Sequence, residues 1–186
     1  GMWQRFKASL DNGSCKLNMD SRLVGCIDAS LAKVDWDAFL AEAAARPSCL
    51  VHGDFHPANV MVRPAGLEGK HRVALLDWEM VGIGSGPQEI GQFMLSHYRP
   101  EERAKVERSM VRSYYDHLTG LNPDIRMTWE ECWQEYVFGG AGKFFWFLPM
   151  LVTMCPPKMG QFFVDQVQHF VMTHGITAET APMPRA

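Results

Sequence analysis

Two short motifs, each joined to an apolar run of strand type, constrain this 186-residue chain more than anything else in it. The first is His52-Gly53-Asp54-Phe55-His56-Pro57-Ala58-Asn59, set between Cys49-Leu50-Val51 and Val60-Met61-Val62. The second, Leu75-Leu76-Asp77-Trp78-Glu79, closes the run Val73-Ala74-Leu75-Leu76. Short apolar runs bounded by turn residues are strand signals. Between the last two runs lies Arg63 to His71, with Pro64, Gly66 and Gly69 as turn formers. The pattern predicts a β-hairpin that holds Asp54, Asn59 and Asp77 near one point.

Three converging oxygen-bearing side chains suit a hard cation, and magnesium takes one or two carboxylates together with phosphate oxygens and water. Asn59 and Asp77 fit as ligands. Asp54, five residues before Asn59, fits as the group that meets an attacking hydroxyl. Phosphoryl transfer divides its labour in this way: an Asp in H-x-D-x-x-x-x-N, an Asn on metal and a second Asp on metal. His52, Asp54 and Asn59 meet the first pattern, and Asp77 follows 18 residues beyond Asn59 at a strand end.

HGDFHPANV followed by LLDWE resembles the aminoglycoside phosphotransferase and choline kinase-like family, a branch of the protein-kinase-like fold. Its second motif is D-[FW]-[ED], matched by Asp77-Trp78-Glu79. Where the family often carries G-D-P-x-x-D-L, this chain has Gly84-Ser85-Gly86-Pro87-Gln88-Glu89-Ile90, with Glu89 in place of an Asp. The resemblance is specific over residues 49–91 and rests on helical content elsewhere. It implies an α+β, mainly helical fold, the C-terminal lobe of a kinase, with a small β-hairpin carrying the catalytic loop. It also implies transfer of the γ-phosphoryl group of ATP to a hydroxyl of a small molecule, with Mg2+ as cofactor. Asp54 would be catalytic, Asn59 and Asp77 would hold metal, and His52, Gly53 and His56 would support the loop. The acceptor would sit on the helical side, against residues 114–150; an aminoglycoside, choline, a sugar or a steroid alcohol would each suit the family.

A kinase-like enzyme grips nucleotide with a smaller N-terminal lobe bearing a Gly-rich loop and a strand Lys. Only 48 residues precede Cys49, with no G-x-G-x-x-G and no V-A-x-K-like strand. Gly1 before Met2 reads as the remnant of a cleaved tag, which makes Met2 the start of the reading frame. The expectation is a single domain over 1–186, a C-terminal lobe without its nucleotide-binding partner, poorly active by itself. Apolar surface that a small lobe would cover leads to an expected homodimer.

The net charge of −3 gives no basic field for nucleic acid. Five cysteines without C-x-x-C and a mixed, charged N-terminus without a signal peptide point to reduced thiols in the cytoplasm. Along the chain, helices are expected over 3–10, around Leu23–Leu31, over 36–46 behind the Asp35 N-cap, over 88–98, from Pro100 to Gly120, from the Thr128 capping box to about Phe138, and over 161–172. In the 36–46 helix, Trp36, Phe39, Leu40 and Ala43 form one apolar stripe. The tail from Ala178 is expected to fray.

Other readings compete. The three oxygen ligands could be ordinary turn residues. His52 reads as a hydrogen-bonding brace, with catalysis as the alternative; His56 reads as either a substrate contact or a packed residue. Glu79 is a substrate-amine or metal contact, or an outward-facing polar side chain. His52, Asp54 and His56 also spell the H-x-D-x-H of a metal-dependent hydrolase, but no G-N-H-E element accompanies them. Gly82-x-Gly84-x-Gly86 reads as a flexible turn rather than a phosphate nest. Gly142-Lys143 fails as a Walker A motif, because Val137 and Phe144 occupy its first Gly and its Ser/Thr. The apolar run 137–154 is broken by Lys143, Pro149 and three glycines, so buried lobe helices are favoured over a membrane span. The last function alternative is a non-catalytic remnant that binds a small molecule or a protein.

Overall fold

The structure, a computed structural model, describes residues 1–64 and 72–185; the turn formers Gly66 and Gly69, and His71 at the end of that segment, lie outside the described residues. Seven helices and four short strands are present among them: α1 (Met2–Asp11), α2 (Ser21–Ala32), α3 (Trp36–Ala45), β1 (Cys49–Val51), β2 (Val60–Arg63), β3 (Arg72–Leu75), β4 (Gly82–Gly84), α4 (Gly86–His97), α5 (Pro100–Leu121), α6 (Trp129–Met154) and α7 (Pro157–Thr173). The fold is mainly helical, as the sequence implied.

The strands nest. β2 pairs antiparallel with β3, placing Val60 opposite Leu75, and β1 pairs antiparallel with β4, placing Leu50 opposite Ile83. The loop 52–59 therefore runs from one ladder to the other, and so does the loop 76–81. The two loops meet where Leu76 N–H donates to the Asn59 carbonyl at 2.9 Å. Gly82 and Gly84, expected in a flexible turn, form β4 instead. A Cβ on Gly84 would lie 3.0 Å from a Val51 methyl, so the bare backbone lets the ladder close.

The core lies among the helices. Thr128 and Glu131 close the expected capping box, but the helix they start runs to Met154, through Pro149 and three glycines. Those glycines admit neighbours rather than end the helix. A Cβ on Gly139 would meet Gln88, one on Gly140 would meet the Gly91 Cα, and one on Gly142 would meet the Met183 carbonyl. α6 is long and apolar enough to cross a membrane by length and composition, yet 61% of its most apolar stretch is buried in the fold. It is the central core helix, with Tyr136, Phe144, Phe145 and Leu148 inside.

One further expectation is met and another corrected. The α3 helix forms behind Asp35, whose side chain accepts from Ala38 N–H at 2.8 Å, but its apolar stripe faces outward: Trp36 is 68% exposed. The tail does not fray. Ser30 Oγ donates to the Pro182 carbonyl, and Arg185 donates to Glu135 at 3.0 Å and Glu42 at 3.3 Å. A backbone bond from Arg185 N–H to the Gly142 carbonyl fixes the end. Arg185, itself buried, finds two carboxylates that are not, a pairing that composition does not reveal.

A second buried charge cluster ties α5, α6 and α7. Arg103 donates to Gln166 and lies 3.7 Å from Glu107, while Glu107 accepts from the Tyr136 hydroxyl at 2.9 Å and sits 3.4 Å from His174. Burial pushes the Glu107 carboxyl up, but His174, Tyr136 and Arg103 outweigh it and hold the group below its ordinary 4.5. A carboxyl depressed in the fold stabilises above its unfolded pKa and loses that contribution as pH falls through the folded value. Glu107→Gln is therefore expected to cost ~1–3 kcal/mol near pH 7. The gap to wild type closes as pH drops below 4.5, which urea midpoints measured across pH 3–7 will show.

Candidate functional site

Each residue of the first motif is placed by backbone geometry before any side chain acts. Gly53 adopts φ +84°, and a Cβ there would lie 2.0 Å from the Met80 carbonyl. Only glycine takes this conformation at this spacing. Its N–H donates to Glu89 Oε2 at 2.9 Å, and its carbonyl accepts from Lys143 Nζ at 2.7 Å. Both peptide groups of Gly53 are thus held by buried charged side chains from α4 and α6.

Asp54 then projects toward a cavity of about 570 Å³. Gln92 Nε2 donates to its Oδ1 at 2.9 Å, and His56 Nε2 stands 3.3 Å from its Oδ2. Ala58 N–H donates to His56 Nδ1 at 3.3 Å. That bond uses Nδ1 as an acceptor, while Nε2 lies 3.3 Å from Asp54 Oδ2 and 3.4 Å from Asn59 Nδ2. His52 Nδ1 accepts from Asp54 N–H, and Nε2 donates to the Leu76 carbonyl at 2.7 Å. Its ring packs on Trp78 with centroids 4.7 Å apart. His52 ties the two motif loops, and both its nitrogens are engaged. Among the described residues no three His, Cys, Asp or Glu side chains gather as a metal-binding group, so the H-x-D-x-H reading gains no ligand set.

Asn59 is buried at the end of a short 3-10 turn, Pro57–Asn59, and its Nδ2 donates to the Asp54 carbonyl at 3.0 Å. Its Oδ1 makes no hydrogen bond among the described residues. Asp77 follows Leu76, whose N–H is bonded to the Asn59 carbonyl. It is exposed, with φ +63°, the only positive φ of a described non-glycine residue. A left-handed aspartate costs ~1–3 kcal/mol and persists where the surroundings over-determine it, a pattern that clusters at functional sites. The amide oxygen and the carboxylate are hard donors, and neither is consumed by a protein hydrogen bond among the described residues. This donor set fits magnesium. Glu79 is exposed and borders the same cavity as Asp54.

Three contributors escaped the sequence analysis: Glu89, Gln92 and Lys143. A signal was present for each. Glu89 and Gln92 stand three residues apart in an apolar helix, hence on one face. Lys143 ends a glycine-lined run, where a neighbouring backbone approaches and a buried ammonium requires an acceptor. Burial lowers the Lys143 pKa, and the nearby Glu89 and Asp54 carboxylates push it partly back.

Nested ladders hold a tethered Gly-Asp turn over a cavity, with Asn59 and Asp77 on the two adjoining loops. The model of the phosphotransferase enzyme family, APH, matches residues 14–123, more than half of the chain; the protein belongs to that family. No curated protein and no solved structure matches it.

Gly53 and Gly13 separate conformation from crowding, since Gly13 has φ +73° with open space around it. Gly13→Ala is expected to cost ~1–2 kcal/mol. Gly53→Ala meets the Met80 carbonyl as well and is expected to cost at least ~1 kcal/mol more, measured as a difference in guanidinium midpoints.

Proposed function

We propose that this protein is the catalytic lobe of a small-molecule kinase of protein-kinase-like fold, passing the γ-phosphoryl group of ATP to an alcohol. The observation that carries the reading is the tether on Gly53. Glu89 and Lys143 hold the turn from both of its peptide groups, so the Asp54 carboxylate faces the cavity, where an acceptor hydroxyl has room. Gln92 and His56 fix the carboxylate's direction. In the reaction the acceptor oxygen bonds to the γ-phosphorus, the bond to the β,γ-bridging oxygen breaks with its electron pair leaving on ADP, and the hydroxyl proton passes to Asp54. Asn59 and Asp77 would hold magnesium, which neutralises phosphate charge when bound. Preorganisation of this kind lowers a barrier by positioning and charge alone.

Magnesium binding gives a direct test. A ligand at a hundred times its Kd stabilises the native state by about 2.7 kcal/mol. The wild-type melting temperature is expected to rise with millimolar Mg2+, and Asp77→Asn and Asn59→Ala to abolish the rise. A wild-type protein that melts at one temperature with and without Mg2+ removes the metal assignment.

The 186-residue sequence contains no Gly-rich loop and no strand Lys of the kinase type. Charge-assisted hydrogen bonds to phosphate are worth ~1.5–3 kcal/mol each. Three missing contacts amount to ~6 kcal/mol, roughly four orders of magnitude in rate. This chain by itself is therefore expected to show little or no turnover with any alcohol in a coupled ADP-release assay. Turnover at an ordinary kinase rate would show that nucleotide is held by other means.

The strand ladders carry apolar side chains into solvent, with Leu50 67%, Val73 63% and Ile83 75% exposed. An exposed apolar face supports pairing with a second copy or a docked lobe. It is also the observation that favours the second reading, a binding module whose partner covers this face.

A further inference from the structure

The cavity in front of Asp54 has two unlike sides. One is polar and belongs to the site: Asp54, His56, Gln92, Ser96 and His97. The other is apolar and comes from the long core helix and its successor: Phe147, Met150, Leu151 and Phe163, with Met80 at the edge. Its charge is sparse. Among the described residues the carboxylates that border it are Asp54 and Glu79, and Asp54 accepts from Gln92 and has His56 Nε2 3.3 Å away. One uncommitted carboxylate is too few to recognise a polycationic aminosugar, each of whose ammonium groups must be paired when taken from water.

A single quaternary ammonium fares little better. Such a cation is recognised by the faces of aromatic rings. Of the three phenylalanines lining the cavity, Phe144, Phe147 and Phe163, Phe147 already has the Lys143 ammonium 5.2 Å from its centroid. That lysine is buried and fixed by its bond to the Gly53 carbonyl. A second positive charge would enter the field of the first. An uncharged hydrocarbon body meets neither problem, and the volume of about 570 Å³ falls in the range of small-molecule pockets lined mainly by apolar groups with a few convergent polar ones.

We infer that the acceptor is a neutral, hydrocarbon-bodied alcohol whose body lies on Phe147, Met150, Leu151 and Phe163 while its hydroxyl meets Asp54. This inference rests on the kinase reading and narrows it to one substrate class. The wall supplies affinity through burial of apolar area, and the polar side supplies orientation through Asp54. The acceptor thereby presents its only polar group to the residue that takes its proton.

The test is a binding experiment on the full chain, so it needs no turnover. Geraniol is the probe, kanamycin and choline are the comparators, and myrcene, the matching hydrocarbon without a hydroxyl, reports the contribution of the polar end. Geraniol is expected to bind saturably with one site, more tightly than myrcene, and neither cation is expected to bind. Met150 is 40% exposed, so Met150→Glu leaves the fold intact by circular dichroism while placing a charge in the apolar wall. It is expected to weaken geraniol by about tenfold or more, and Met150→Leu to retain binding. Kanamycin or choline binding more tightly than geraniol overturns the substrate class, as does geraniol binding that ignores Met150→Glu. The kinase reading fails separately: if Asp54→Ala leaves the preference for geraniol over myrcene unchanged, the hydroxyl is not at Asp54, and the position assigned to it here is overturned even though the wall binds hydrocarbon.

Discussion

The close approach of two helices at a pair of glycines is the constraint on which the site depends. A Cβ on Gly91 in α4 would stand 2.7 Å from the Cα of Gly140 in α6, and one on Gly140 would stand 3.1 Å from the Cα of Gly91. With no side chain between them, the backbones pack directly, as small residues permit wherever helices must come close. Glu89 and Gln92 lie on either side of Gly91 in sequence, and Lys143 lies one turn beyond Gly140. The contact therefore fixes at one distance all three side chains that grip Gly53 and Asp54. A wider spacing would leave Glu89 and Lys143 short of the Gly53 peptide groups. The glycines cost helix propensity of about 1 kcal/mol each, which the core around Tyr136, Phe144 and Leu148 offsets.

The grip is electrostatic and works because it is buried. Lys143 and Glu89 are both removed from water, and each meets a backbone group of the same residue. A buried charge is tolerated only when it is hydrogen-bonded and near its opposite. Here the requirement is met by the loop itself, so the turn cannot move without leaving two charges uncompensated. Asp54 inherits its place from Gly53. The strained φ of Asp77 has a related origin. The nested ladders fix Leu76 against Asn59 and Gly82 against Val51, and the short segment between them must turn sharply at Asp77.

The Arg103–Glu107 cluster and the Arg185 anchor follow the same rule at other places. Each joins segments distant in sequence through a cation placed among carboxylates and amides. Apart from the i,i+4 pair of Arg103 and Glu107, these partners share no local pattern. The local reading of the tail accordingly went astray. An apolar helical stripe signals burial only if another element is there to cover it, and the described residues offer none over Trp36.

What the chain's own residues determined is local. Asp35 and Thr128 began helices because their side chains satisfy N–H groups that a helix start leaves free. Short apolar runs signalled β1, β2 and β3, and the joint spacing of His52, Asp54, Asn59 and Asp77 indicated a phosphotransferase. What only the folded structure decided is which distant groups meet. The pairing of Gly82–Gly84 with Cys49–Val51, the continuation of α6 through Gly139–Gly142 and Pro149, and the reach of Glu89, Gln92 and Lys143 to one loop all depend on contacts between segments tens of residues apart. Helix and strand signals are written in neighbouring residues, whereas a buried charge acquires its partner only when packing brings one near.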